Sequence, residues 1–287
     1  MSEKIHPRPE WLKVKFPNSE NYFQLKRLVH EQRLNTVCQD ARCPNIGECW
    51  GAGTATFMIL GEVCTRACKF CAVKTGLPPE YDLEEPQRVA AAIQKLNLKY
   101  AVITSVDRDD LKDGGAFIFA ETIRLTRKAC PGIRIEVLIP DFRGSVPALR
   151  TVVEALPDVL AHNVETVPRL YLRARAGSRY RRSLDHLRNA KSFGIPMATK
   201  SSIMLGLGER RDEILEVLND LREAEVDIMT LGQYLQPTKE HLPVEKFYTP
   251  QEFVEYREYA YSLGFRYVAS GPLVRSSYHA DKALCSK

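Results

Sequence analysis

Three cysteines at the spacing C-x3-C-x2-C, namely Cys64, Cys68 and Cys71, are the residues of this sequence best suited to chemistry. They follow a mainly apolar run at 56–61. Thiolates are soft ligands that suit iron–sulfur clusters or zinc. A structural zinc site needs a fourth ligand, usually from a second CxxC or HxxxH pair, and none follows here. Three thiolates around a cluster of four irons instead leave one iron open for a substrate or cofactor. A zinc knuckle or three buried thiols are the alternatives that this spacing leaves open.

A second cysteine triad lies shortly upstream, at Cys38, Cys43 and Cys49. Pro44 and Gly47 within it are typical of a loop, and a loop can wrap around a cluster. Eight cysteines in 287 residues are few for a disulfide scaffold, so the two triads together predict two clusters. A disulfide or a zinc loop is the alternative interpretation of the upstream triad.

The composition indicates an ordinary globular protein, with 44% hydrophobic and 27% charged residues. The net charge of +5 is too weak by itself to predict nucleic-acid binding, and it would suit an acidic protein partner equally well. No apolar run approaches the roughly 20 residues that span a bilayer, and residues 1–7 lack the apolar core of a secretion signal. We therefore expect a cytoplasmic protein that binds neither a membrane nor nucleic acid.

The apolar pattern also predicts the elements that position the triads. From residue 55 onward, apolar runs alternate with amphipathic segments, which is typical of βα units and a parallel sheet. Strands are predicted at 57–60, 100–104, 133–139, 159–164, 197–204 and 226–231. Helices are predicted at 21–29, 89–96, 116–129, 146–156, 184–193, 213–224 and 251–263. Six strand–helix units favour an α/β fold of the incomplete (β/α)6 barrel type over a closed eightfold barrel.

The chain is expected to have three parts. Residues 1–54 form an N-terminal extension that carries the upstream cysteine loop. Residues 55–264 form the partial barrel, and residues 265–287 form a C-terminal extension that closes the active site. The downstream triad then follows the first barrel strand, at the strand end where parallel β/α folds collect their chemistry.

The motif C-x3-C-x-F-C, with Phe70 before the last cysteine, resembles the signature of the radical S-adenosylmethionine (SAM) enzymes. The resemblance implies a radical SAM partial barrel whose 64/68/71 triad holds a 4Fe–4S cluster. In that family the open iron binds the amino and carboxylate groups of SAM, and the aromatic residue lies near the adenine. The reduced cluster cleaves SAM to a 5′-deoxyadenosyl radical, which removes hydrogen atoms from unactivated carbon.

The two triads together with Arg275-Ser276-Ser277-Tyr278 closely resemble the lipoyl synthase family, over residues 35–278. The resemblance implies a sulfurtransferase that inserts two sulfur atoms at C6 and C8 of a protein-bound octanoyl chain. It also implies two 4Fe–4S clusters per subunit, of which the 38/43/49 cluster donates the sulfur. A C-terminal serine supplies that cluster's fourth ligand in the family, and we assign Ser277, with Ser276 as the alternative. Because oxygen is a harder ligand than thiolate, this corner of the cluster could open.

The resemblance implies partners as well. They are an octanoylated lipoyl carrier domain or glycine-cleavage H-type protein, an electron donor such as flavodoxin or ferredoxin, and an iron–sulfur carrier that rebuilds the consumed cluster. Two other interpretations remain open at this stage. One is another sulfur-inserting radical enzyme, similar to biotin synthase. The other is a zinc-stabilised nucleic-acid-binding module, suggested by the net charge and an arginine-rich run.

Two further segments carry candidate SAM contacts. Asn163 and Glu165 end the fourth predicted strand and share one face, because the strand period is two. The arginine-rich run at 172–182 has three interpretations: a solvated surface, a docking site for an acidic carrier, or a source of a SAM-carboxylate ligand. For the last of these we assign Arg175.

Overall fold

The computed structural model describes residues 9–14, 18–41, 43–51, 54–278, 280 and 283. The first eight residues of the predicted N-terminal extension lie outside the described residues. The elements that precede the barrel are a single turn at Glu10–Leu12, helix α1 (Glu20–Glu31), strand β1 (Asn35–Thr36), and helices α2 (Val37–Asp40) and α3 (Ile46–Gly51). Helix α1 begins after Ser19, whose Oγ accepts a hydrogen bond from the backbone N–H of Tyr22 at 3.2 Å. The upstream cysteine loop thus contains two short helices.

Within the described residues, the strands form one eight-stranded sheet and one two-stranded sheet. The remaining strands are β2 (Thr56–Ile59), β3 (Val63–Cys64), β4 (Lys74–Thr75), β5 (Tyr100–Ser105), β6 (Arg134–Leu138), β7 (Val159–Ala161), β8 (Ala198–Leu205), β9 (Ile228–Gln233) and β10 (Tyr267–Gly271). The large sheet has the order β1-β2-β5-β6-β7-β8-β9-β10, and only β1 is antiparallel to its neighbour. Strands β3 and β4 form the small sheet.

Helices connect the parallel strands, as such connections require. They are α4 (Glu85–Lys95), α5 (Ala116–Ala129), α6 (Val146–Val153), α7 (Tyr171–Ala174), α8 (Tyr180–Ser192), α9 (Arg211–Glu223) and α10 (Pro250–Ser262). All residues of β2 and β9 are buried, which explains why those strands are nearly continuous apolar runs in the sequence. The predicted α/β partial barrel of six strand–helix units is confirmed.

A seventh parallel strand, β10, was not predicted. It pairs with β9 over its whole length, so the sheet continues past residue 265. Its sequence is only partly buried and mixes small with polar residues, so the apolar pattern did not reveal it. The division of the chain at 1–54, 55–264 and 265–287 remains a prediction, with β10 falling in the C-terminal part.

The N-terminal elements pack on the barrel rather than standing apart from it. Trp50 is fully buried in one apolar cluster with Leu25 of α1 and Phe57 of β2. Its ring lies 5.4 Å from that of Tyr22. At the other end of the chain, Ala280 packs against two residues of β5. Both extensions therefore contact the barrel's first strands. In the described part of the chain, no helix is both long and apolar enough to cross a bilayer.

Candidate functional site

The 64–71 loop is held against the loop that follows β5. Thr65 donates its backbone N–H to the carbonyl oxygen of Asp107 at 3.0 Å, and its hydroxyl donates to the same oxygen at 2.9 Å. Cys64 Sγ accepts backbone hydrogen bonds from Arg66 at 3.4 Å and from Asp107 at 3.3 Å. These contacts place the first thiol beside the C-terminal end of a parallel strand, where the fold collects ligand contacts.

Two later segments hold the other end of the loop. Lys69 donates its backbone N–H to the last residue of α7 at 2.9 Å, and its carbonyl accepts from Leu242 at 3.0 Å. Nε2 of His241 lies 2.9 Å from the carbonyl oxygen of Cys71. The loop is therefore enclosed by three separate segments of the barrel.

The four predicted SAM contacts lie in the same region. Arg175 is 9% exposed, and its Nη1 donates to the carbonyl of Asn163 at 2.5 Å and to the hydroxyl of Tyr171 at 2.8 Å. Asn163 in turn donates from Nδ2 to Glu165 at 3.0 Å. Phe70 is half-buried and packs against an apolar cluster that includes Val164 and Leu205. The predicted strand end was slightly wrong, because β7 stops at residue 161, but the two polar side chains still meet.

Burial raises the pKa of each thiol in the downstream triad, to about 12 for Cys68 and about 11 for Cys71. The pKa of Cys64 is also raised, by burial and then by the nearby Asp107 carboxylate. Arg175 acts in the opposite direction at Cys68. Because thiolate is the form that binds metal, a raised thiol pKa couples cluster assembly to the release of protons.

Buried oxygens beside this triad still need hydrogen-bond donors. Asp107 Oδ1, Asn163 Oδ1 and Ser105 Oγ have no hydrogen-bond partner among the described residues. The Asp107 oxygen lies 3.3 Å from a guanidinium nitrogen of Arg66 but is not aligned for a hydrogen bond. Since buried acceptors are normally satisfied, a ligand with ammonium and hydroxyl donors would complete the site. SAM carries both groups, so the residues fit it.

The upstream triad and the C-terminus meet in one cleft. Cys38, Cys43 and Cys49 line it together with Ser277, and the empty space is about 300 Å³ including its mouth. Ser276 does not line the cleft. Burial raises the pKa of the Cys43 thiol. Three sulfur donors and one hydroxyl thus face a common space.

Three hydrogen bonds join the C-terminal segment 273–278 to residues near the upstream triad. They run from Asn45 to the Leu273 carbonyl (2.6 Å), from Thr56 to Ser277 Oγ (3.0 Å) and from Tyr278 to Glu48 (3.1 Å). The segment also passes closely over β9, because a Cβ added to Gly232 would lie 2.0 Å from the Val274 carbonyl oxygen. A glycine is therefore needed at that crossing.

Across the described ranges, no three His, Cys, Asp or Glu side chains are gathered closely enough to hold a single metal ion.

Asp107 was not among the residues that the sequence analysis assigned to the SAM site. Gly114 and Gly115 follow it just before α5. Cβ atoms added there would meet side chains at 2.9 Å (Phe142) and 2.2 Å (Leu60), so these glycines allow close packing at the start of α5. Asp107 could have been found from its position just after a strand end.

Comparisons with known proteins agree with this geometry. A family model described as the radical SAM superfamily matches residues 58–221, and one described as the N-terminal domain of lipoyl synthase of the radical SAM family matches residues 2–43. Lipoyl synthase of Halalkalibacterium halodurans is 58% identical over 98% of this chain and 93% of its own. Lipoyl synthase of Bacillus subtilis is 58% identical over 96% of this chain and 93% of its own. The crystal structure of methylornithine synthase (PylB) has a TM-score of 0.53 at 14% identity, over 88% of this chain and 82% of its own.

The partial barrel and its C-x3-C-x2-C loop define a radical SAM enzyme, whose cofactors are a 4Fe–4S cluster and SAM. The sequence identity of 58% along nearly the whole chain then shows which family of radical SAM enzymes this is. The chain belongs to the lipoyl synthase family. The predicted function, sulfur insertion into a protein-bound octanoyl chain by a radical SAM sulfurtransferase, is the function of this family.

Proposed function

We propose that the two triads hold two clusters with separate roles, one cleaving SAM and the other donating sulfur to C6 and C8 of the octanoyl chain. The observation that carries this proposal is the cleft in which Ser277 joins Cys38, Cys43 and Cys49. Four ligands there would complete one cluster, whereas the 64/68/71 triad has three cysteines and a set of unsatisfied acceptors beside it. When bound, SAM and the first cluster supply a radical that removes hydrogen, and the second cluster supplies sulfur.

The chain's own residues would bind and orient SAM. Arg175 is fixed by its Nη1 contacts, which leaves the rest of its guanidinium to bind the SAM carboxylate. Asp107 would accept from the ammonium group, and Asn163 and Glu165 from hydroxyl groups. Phe70 provides an apolar surface for the adenine. Enclosure of the loop by three barrel segments would keep water from the reacting carbon.

At the 38/43/49 triad, the chain would hold one corner of the bound cluster weakly. Ser277 accepts a hydrogen bond from Thr56, which fixes the position of its oxygen. Oxygen is a poorer match than thiolate for iron in such clusters. That corner is therefore the one that can open while the cysteines retain the others.

The substrate of this family is a lipoyl domain or a similar carrier. We propose that the carrier, an octanoylated carrier domain or glycine-cleavage H-type protein, docks on Arg179 and Arg181. Both arginines are exposed at the start of α8. Arg182, in the same arginine-rich run, instead binds Asp141 at 2.7 Å and the Gly177 carbonyl at 2.6 Å. Its charge is already neutralised, so it contributes little to docking.

The remaining partners follow from the chemistry. Each SAM cleavage consumes an electron, so a donor such as flavodoxin or ferredoxin is required. A consumed cluster requires an iron–sulfur carrier to rebuild it. The described cysteines all carry free thiols, which fits a reducing cytoplasm.

Substitution of the serine tests the second site. Ser277→Ala should abolish sulfur insertion and make the cluster more labile to chelators. Ser277→Cys should keep the cluster intact yet impair insertion, because thiolate is harder to displace. Ser276→Ala is the matched control, since that residue lies outside the cleft. Lipoyl product is measured by mass spectrometry of the carrier. Near-normal product in both Ser277 variants would refute serine ligation at this position, and loss in Ser276→Ala alone would move the ligand to Ser276.

A further inference from the structure

Arg66 lies between the first two cysteines of the 64–71 loop and is buried although it is charged. Its side chain is only 3% exposed. A buried guanidinium is costly unless every part of it is paired. Nε and Nη2 donate to the two carboxylate oxygens of Asp109, each at 2.8 Å, in the bidentate geometry that arginine favours. Nη2 also donates to Asp141 at 2.7 Å.

Further contacts surround the same guanidinium. Nη1 donates to Ser178 Oγ at 3.0 Å and lies 3.3 Å from Asp107 Oδ1. A Cβ added to Gly177 would lie 3.3 Å from Arg66 Cδ, and this glycine has a φ of +79°. The chain after α7 therefore passes directly over the arginine. One side chain joins the cysteine loop to the loops that follow β5, β6 and α7.

We propose that Arg66 is the positioning residue of the SAM site, and that it shapes the cysteine loop before any iron is bound. Three carboxylates, from Asp107, Asp109 and Asp141, converge within 4 Å of this one side chain. A cluster held by three thiolates is itself anionic, so these carboxylates would repel it if they were not neutralised. Arg66 removes that repulsion and fixes the backbone that carries the cysteines.

A lysine at position 66 could not make the same set of contacts. Its ammonium group is a single point charge, whereas the guanidinium reaches several partners in fixed directions. Of the three carboxylates, Asp141 alone has a second arginine partner, Arg182, among the described residues. Loss of Arg66 would therefore leave Asp109 without its bidentate partner, and would leave Asp107 beside the thiols with Arg175 as a remaining cation.

The first test uses metal-free protein, so it does not depend on cluster chemistry. Hydrogen exchange of residues 62–72 is compared in wild type, Arg66→Lys and Arg66→Met. Exchange in this segment should accelerate at least about tenfold in both variants, and more in Arg66→Met. Arg127→Lys is the matched control, because Arg127 also pairs with a carboxylate and two carbonyl groups, at Asp158, Ile133 and Leu156. Unchanged exchange at 62–72, or equal acceleration throughout the barrel, would overturn the proposal.

The second test uses reconstituted protein and rests on the proposed function. In protein whose upstream cysteines are changed to alanine, SAM should alter the electron paramagnetic resonance spectrum of the reduced cluster. Arg66→Met in this background should lose most of its iron, and Arg66→Lys should keep iron but need at least about tenfold more SAM for the spectral change. A normal response in both arginine variants would overturn the role of Arg66. No response in the parent protein would instead refute the proposed SAM site.

Discussion

The two cysteine triads are positioned by different parts of the chain. The 64/68/71 loop is held by segments of the barrel itself, after β5, after α7 and at 241–242. The 38/43/49 triad lies outside the barrel and is closed by a C-terminal segment that is 221 to 230 residues away along the chain. The first site therefore depends on the integrity of the barrel. The second depends on the meeting of the N-terminal elements with the C-terminal segment.

This difference suits the two proposed tasks. A site that cleaves SAM repeatedly needs fixed geometry, and buried ion pairs with several partners provide it. A site that gives up sulfur must lose its contents and be refilled, so closure by a segment that is separate in sequence from the barrel is an advantage. The comparison leads to the following predictions.

The largest effect is expected from loss of the 64/68/71 triad. Replacing Cys64, Cys68 and Cys71 with alanine should abolish SAM cleavage, since no other set of described cysteines lies beside the proposed SAM contacts. Iron content should fall from about eight to about four per chain. Methionine and 5′-deoxyadenosine are quantified by chromatography. SAM cleavage above background in this variant would show that the triad has been assigned the wrong role.

Loss of the upstream triad should separate the two activities. With Cys38, Cys43 and Cys49 replaced by alanine, SAM cleavage should stay within about threefold of wild type because the barrel is intact. No lipoyl product should form. Both quantities are measured in one reaction with an octanoylated carrier, and normal product would show that the sulfur comes from elsewhere.

A shift of the C-terminal segment 273–278 should weaken the site at the 38/43/49 triad and leave the SAM site unchanged. Gly232→Ala places a methyl group against the Val274 carbonyl, so the segment must shift at a cost of about 1–3 kcal/mol. Sulfur insertion should fall about tenfold while SAM cleavage changes little. Gly264→Ala is a control for loss of stability alone, because the φ of +91° at Gly264 makes alanine costly there, away from either triad. Equal loss of both activities would mean that the strand, not the segment, was disturbed.

The smallest effect is expected at the docking surface. Arg179→Glu with Arg181→Glu should raise the KM for the whole carrier about tenfold at low salt and less at high salt. Turnover of a short octanoyl-lysine peptide should be unaffected, because the peptide lacks the acidic surface. Equal losses for peptide and carrier would place these arginines in the active site.

The sequence predicted most of this architecture because its signals were local. Six buried strands and the helices between them appear as apolar periodicity, and the cysteine spacings are directly visible. The unpredicted strand β10 is half-exposed, so burial did not mark it. Arg66 pairs with Asp107, Asp109 and Asp141, which lie 41, 43 and 75 residues further along the chain. Only folding brings these groups together, so no local pattern could show them.

The most direct test of the division between the triads is a single turnover with labelled sulfur. The protein is reconstituted with sulfide enriched in a heavy isotope and given an octanoylated carrier, reductant and excess SAM. Both sulfur atoms of the lipoyl product should carry the label, and the 38/43/49 cluster should be lost while the SAM-responsive cluster remains. Unlabelled product, or loss of the cluster held by Cys64, Cys68 and Cys71, would contradict the account.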